Sequence, residues 1–144
     1  MVFFMPSTPP SLTLALLQAR EAAMRFFRPH LAEHGLTEQQ WRVIRLLHQH
    51  GELESGQLAP LACILPPSLC GVLARLEEAG LVCRRRDARD QRRSLVSLAA
   101  AGLACFESMR GQMEENYRLL EQRLGEDKVV LLHTLLHELK GLRP

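Results

Sequence analysis

The chain has 144 residues, 47% of them hydrophobic and 24% charged, with a formal net charge of +2. This is an ordinary globular composition, and the length suits one domain, or one with an extension for a partner. No apolar run reaches the roughly 18 residues of a membrane helix, and MVFFMPSTPP has no basic n-region and too short an apolar part for a signal peptide, so a cytoplasmic protein is expected.

Residues 1–10, rich in Pro and Ser, read as a flexible arm, with Met5 as a second candidate start. Ser11 then precedes LTLALLQAREAAMRFF, whose apolar residues at 12, 16, 19, 23, 26 and 27 form a helical stripe. Ser11 is the expected N-cap, and Pro29 marks strain or an end near Arg28. In LTEQQWRVIRLLHQHG, Thr37 and Gln40 stand at capping-box spacing and Leu36 and Trp41 at staple spacing. Gly51 stops this second helix.

SGQLAPLACI reads as a short helix capped by Ser55, bent or shortened by Pro60. In LPPSLCGVLARLEEAGLV, Pro66 or Pro67 fits the first helical turn, where a missing N–H costs nothing. Leu69, Val72, Leu73 and Leu76 make its apolar stripe, and Gly80 ends it. LVCRRR and SLVSLA then read as short strands around a polar, hairpin-like DARDQ. Two strands around a basic loop, after a helix-turn-helix pair, make a wing.

The last third is helical. Leu103, Phe106, Met109, Met113, Tyr117, Leu120 and Leu124 recur every three or four residues. Gly125 breaks the run, and Val129, Leu132, Leu135, Leu136 and Leu139 form a second stripe. The first helix and these two present more apolar surface than one chain covers, which points to a symmetric dimer. The expected fold class is mainly α with a small β-hairpin wing (α+β). Residues 36–98 are the expected winged helix-turn-helix DNA-binding domain. Residues 11–35 and 99–144 are the expected helical dimerisation region.

RRRDARDQRR, Arg84 to Arg93, holds six arginines and two aspartates, a local charge of +4 in a nearly neutral chain. The preceding helix begins with small residues, Ser68, Cys70 and Gly71, that permit close approach to base edges in a major groove. Arg75, two turns on, is placed for phosphate. The bland alternatives are a core helix followed by a solvated charged loop or a basic tail. Flanking strands and the helix-turn-helix before them favour the wing.

This order, with LTEQQWRV, PSLCGVLARLEEAGLV and Asp90-Gln91-Arg92 followed by SLVSL, resembles the MarR family of winged helix-turn-helix repressors over about residues 11–142. LLQAREAAM and ACILPPSL are similar to the family's regulators of homoprotocatechuate and related aromatic-acid catabolism. The resemblance implies that Asp90 braces the loop by pairing with an arginine and that Arg92 enters the minor groove. Narrow A·T grooves concentrate negative potential that attracts arginine. Arg84, Arg85, Arg86, Arg89 and Arg93 are then expected mostly on phosphates, giving affinity rather than sequence choice. A dimer is expected on a pseudo-palindrome with half-sites about 34 Å apart. Two departures stand out. Ala99 replaces the family's usual Thr, so the cap of the long helix is missing or comes from Ser97, and a frayed start costing about 1 kcal/mol is expected. Pro66-Pro67 removes two donors that could meet phosphate, shifting contacts toward Ser68.

Regulators of this class respond to a small ligand or to oxidation. Arg20, inside an otherwise apolar segment, is a candidate for bidentate pairing with a ligand carboxylate. The competing reading is a salt bridge with Glu21 of a partner chain or a glutamate on the long helix. Phe27 and Trp41 are candidate aromatic walls, or plain core, and Gln40 and Arg45 are weaker candidates. The resemblance implies a pocket between the dimerisation helices and the winged domain, and the subgroup implies a hydroxylated aromatic or heteroaromatic carboxylate. Cys63, Cys70, Cys83 and Cys105 form no CxxC pair and read as small buried or semi-buried thiols. The first helix, where the family's oxidation sensors carry a reactive cysteine, has none. His30 with His34 and His133 with His137 are i, i+4 pairs lacking an evident third ligand, so solvated histidines are expected. Thiol oxidation, metal response and a helical adaptor without DNA binding remain as alternatives. No phosphate loop, HExxH or nucleophile elbow is present, so neither an enzyme nor a cofactor is expected. The expected partners are a double-stranded DNA operator, a second copy of the chain and a small aromatic acid, with no membrane.

Overall fold

The computed structural model describes residues 9–144, and most of the expected arm lies outside the described residues. In chain order the elements are α1 (Leu12–Met24), α2 (Arg28–Glu33), α3 (Glu38–His50), β1 (Leu53–Glu54), α4 (Ser55–Ala62), α5 (Pro66–Glu78), β2 (Val82–Arg86), β3 (Ser94–Leu98), α6 (Ala100–Leu124) and α7 (Glu126–Gly141). The fold is mainly α with a small antiparallel sheet, strand order β1-β3-β2. Two compact units divide it. Among the described residues, one comprises 9–29 and 115–144, the other His30–Glu114.

Local chemistry explains most boundaries. Ser11 caps α1, its side chain accepting from the Leu14 N–H at 3.2 Å. Contrary to the single first helix expected to run to Arg28, α1 stops at Met24 and a new short helix starts at Arg28. Pro29 is the reason. It cannot donate to the Arg25 carbonyl and its ring would strike it, so the chain tightens into i→i−3 bonds from Phe26 and Phe27 before turning. The Thr37–Gln40 capping box forms with both bonds, at 3.0 and 3.1 Å.

The N-cap of α4 is Glu54, not Ser55 as the sequence led us to expect. Glu54 is held extended by pairing opposite Leu95 of β3, so the helix can only begin one residue later. This two-residue strand carries no alternation pattern and was invisible in the sequence. Pro66 opens α5, with Pro66 and Pro67 in its first turn, and Gly80 follows it at φ +75°.

The start of α6 is held by backbone and packing rather than by a side-chain cap. The Ala99 N–H donates to the Leu81 carbonyl at 3.0 Å. Gly102 is buried against that carbonyl, and a Cβ there would stand 2.0 Å from the Leu81 oxygen. The expected fraying is therefore replaced by a tight junction to the wing base. Gly125 ends α6 at φ +109°.

The core of the larger unit contains Val43, Ile44, Leu47, Leu58, Leu73, Leu76, Val96 and Met109, each at most 2% exposed. It fixes α3, α4 and α5 against the sheet. In the other unit, α1 and α7 bury no residue. Leu12, Leu14, Leu17, Val130, Leu131, Leu132 and Leu135 are all exposed.

Candidate nucleic-acid interface

The buried stripe of α5 (Leu69, Val72, Leu73, Leu76) seats the helix, and its opposite side is free. Ser68, Cys70 and Arg75 are exposed, and Gly71 is half-buried. These are the four helix positions singled out in the sequence. With proline at its first two positions, α5 offers fewer N–H groups at its start than an ordinary helix does.

The wing is a two-stranded hairpin in full register from Val82 opposite Leu98 to Arg86 opposite Ser94. Its tip is ordered by its two aspartates. Asp87 accepts from the Arg89 N–H at 2.9 Å, and Asp90 accepts from the Arg92 N–H at 3.1 Å. Such Asx turns let a short polar loop hold its shape without a core. Backbone bonds from Asp87 to the Arg93 carbonyl and from Arg93 to the Asp90 carbonyl, both 3.0 Å, close the loop. Arg86 adds a bond to the Gln91 carbonyl at 2.7 Å.

The arginine that Asp90 holds is Arg92 itself. Asp90 accepts the Arg92 Nε at 3.1 Å, while 92% of the Arg92 side chain stays exposed. Bonds from the Arg92 side chain and backbone hold the Asp90 carboxyl below the usual carboxylate range. The cation is thus oriented and still accessible.

The other arginines divide in a way the sequence does not reveal. Arg89 is exposed at the tip. Arg84 is half-buried and, with Cys63 and Cys70, lines an apolar groove of about 660 Å³ between α4 and α5. Arg85 forms a bidentate pair with Glu52, at 2.7 and 3.0 Å, which raises its pKa further. Arg93 bridges Glu54 at 3.0 Å and Asp87 at 3.4 Å. The partners Glu52 and Glu54 were missed in the sequence. Their only signal is the spacing in GELESG, which puts both acids on one side of Leu53.

The candidate effector residues are distributed over both units. In the smaller unit Arg20 is exposed, 3.6 Å from Glu21 of its own chain, and Glu21 also takes Arg28 at 2.8 Å. Phe27 is buried with its ring 4.5 Å from Tyr117. In the larger unit Trp41 is buried and stacks on Phe106 at 5.6 Å and 9°, and Phe106 stacks on His48 at 3.7 Å. The Gln40 amide oxygen is engaged in the capping box. Arg45 is exposed one turn beyond Trp41. Tyr117 and Phe106 sat in the α6 stripe and gave no separate signal.

Two expectations need correction. Cys63, Cys70 and Cys83 are exposed rather than buried, because each lies at a helix end, on the open side of α5 or on an outward strand position. Only Cys105 is partly covered, and burial pushes its thiol pKa up. His30 is buried rather than solvated, packed against His34 at 4.6 Å. Among the described residues no group of three or more His, Cys, Asp or Glu is placed to hold a metal. No single helix among them is long and apolar enough to cross a membrane.

The MarR family profile matches residues 36–94, from the staple before α3 to the first residue of β3. The homoprotocatechuate degradative operon repressor of Escherichia coli is 47% identical over 132 residues, covering 92% of this chain and 89% of that protein. This chain belongs to the MarR family. Two solved structures carry the likeness into three dimensions. The transcriptional regulator PA4135 is 61% identical with a TM-score of 0.92, covering 94% of this chain and all of that one. NadR in complex with 4-hydroxyphenylacetate is 45% identical with a TM-score of 0.85, covering 98% of this chain and all of that one. As a MarR-type transcriptional regulator, the protein has its helix-turn-helix in α4–α5 and its wing in β2–β3.

Proposed function

We propose that the protein is a dimeric repressor that binds a pseudo-palindromic operator and is released by a small aromatic carboxylate of a catabolic pathway. It acts in the cytoplasm by binding rather than by catalysis. Residues 36–98 serve as the DNA-binding part, and residues 11–35 and 99–144 as the dimerisation part. The observation that carries the DNA-binding assignment is the tip geometry: an arginine held by Asp90 yet almost wholly exposed. Arg92 enters the minor groove, Arg89 and Arg86 meet flanking phosphates, and Ser68, Cys70 and Gly71 bring α5 close to base edges, with Arg75 on the backbone. Support for the effector class comes from the relatives' names, one a homoprotocatechuate operon repressor and one solved with 4-hydroxyphenylacetate. Trp41 and Arg45, one turn apart on α3, offer an indole and a guanidinium for such a molecule, with Phe27, Arg20 and Gln40 as further candidates.

The test is selection of duplexes from a random pool by the purified protein, then titration with hydroxyphenylacetates and related acids. A palindromic consensus whose affinity falls about 5- to 150-fold with one acid is expected, a coupling of roughly 1–3 kcal/mol. A protein that enriches no sequence overturns the operator reading. Enrichment unaffected by every acid overturns the effector reading.

A further inference from the structure

Two of the six wing arginines, Arg85 and Arg93, are held by acids of the protein itself. Glu54 pairs with Leu95 across the sheet, and Arg93 stands two residues before Leu95. That places Arg93 and Glu54 as diagonal neighbours on one face, within reach of each other. The Arg93 guanidinium spends one nitrogen on Glu54 at 3.0 Å and the other on Asp87 at 3.4 Å. Both carboxylates are better covered than the arginine, with side-chain exposures of 28% for Glu54 and 17% for Asp87.

The two acids belong to different parts of the reading head. Glu54 is the N-cap residue of α4, where its N–H is met by the Gln57 side chain at 3.1 Å. Asp87 starts the wing loop and shapes it through the Arg89 N–H. Arg93 therefore clamps the base of the loop to the first helix of the helix-turn-helix. Arg85, on β2, reaches past the central strand to Glu52, which lies just before β1.

We infer that Arg93 is a positioning residue of the wing, acting through Glu54 and Asp87 rather than on a phosphate. The fork suits this role, since a planar guanidinium bridges two carboxylates where a point charge meets one. This inference rests on the reading of the wing as a DNA-contacting element. Its consequence runs against simple electrostatics. Removing the negative charge of Glu54 makes the protein more positive yet weakens specific binding, because the wing loses its angle to α5.

The experiment compares Glu54→Gln, Arg93→Gln and the double variant on a duplex selected by the wild-type protein and on a scrambled duplex. Each single variant is expected to bind the selected duplex about five- to tenfold more weakly, as two exposed clamps per dimer allow. The double variant should be no weaker than Arg93→Gln alone. Binding to the scrambled duplex should persist in all three, which also reports that they are folded. The log–log salt slope should stay at the wild-type value. Tighter operator binding by Glu54→Gln, additive effects in the double variant, or a slope reduced by about 2 per dimer in Arg93→Gln makes Arg93 a phosphate contact and overturns the inference. A wild-type protein that selects no duplex overturns the DNA-contacting reading instead.

Discussion

At the scale of single residues, the wing shows how one side-chain type takes several roles through its neighbours. Arg92 and Arg93 are adjacent, but Arg92 is offered to solvent on Asp90 while Arg93 is drawn back by Glu54 and Asp87. Removing Arg92 should cost DNA contact and little stability. Arg92→Ala is expected to weaken operator binding while its thermal midpoint matches wild type. Equal binding by that variant would sink the minor-groove role. The Asp90 brace has a definite pH window. Its carboxyl is held low by Arg92, so it stays ionised above the unfolded carboxylate pKa, and the bracing is lost only as pH falls through the depressed folded value. Carboxyl NMR of Asp90 should show no titration between about pH 5 and 8 and a midpoint below about 3.9. A midpoint at or above the ordinary value contradicts the pairing.

Elements are decided here by what sits next to them. The α6 helix needs no side-chain cap because Gly102 packs on the Leu81 carbonyl and Ala99 bonds to it. That contact joins the turn after α5 to the start of the long helix. Gly102→Ala puts a Cβ 2.0 Å from a backbone oxygen, which no rotamer change relieves. A loss of about 1–3 kcal/mol in chemical denaturation is expected, as for other overpacked sites. A neutral result would mean the junction yields. The α4 helix shows the same dependence. Its cap is set by the β1–β3 pairing, since Ser55 had the better capping chemistry and lost the position to Glu54.

On the scale of the whole molecule, the unpartnered apolar face belongs to α1 and α7. Leu131 and Leu135 are 58% and 52% exposed and stand one turn apart. Dimerisation is the use this family membership suggests for such a face. The double variant Leu131→Asp/Leu135→Asp is expected to sediment as a monomer and to lose operator affinity, while its circular dichroism stays helical. A dimer that survives these charges places the interface elsewhere. Salt dependence is also a property of the assembly. With three or four phosphates neutralised per wing, the slope should be about −5 to −7 per dimer. A slope near −1 removes the wings from the interface.

The sequence by itself determined the helix series, the Thr37 box, the proline start of α5, the two wing strands and the basic tip between them. Each is written in near neighbours: periodicity, a cap and its partner three residues on, a glycine at positive φ. The family pattern in Asp90-Gln91-Arg92 also pointed to the brace. Only the tertiary structure decided what depends on distant residues. The sequence listed six arginines in ten positions but gave no sign that Arg85 and Arg93 answer to Glu52 and Glu54, more than thirty residues earlier. It placed a cap on Ser55 because a two-residue strand has no periodicity to betray it. It ran α1 too far because the tightening of the turn before Pro29 carries no signature in the apolar stripe. It called three thiols covered because exposure belongs to the packed surface. Charge, helix and turn are local properties, whereas the division of a charged run between solvent and the protein's own frame is set by which acids the fold brings beneath it.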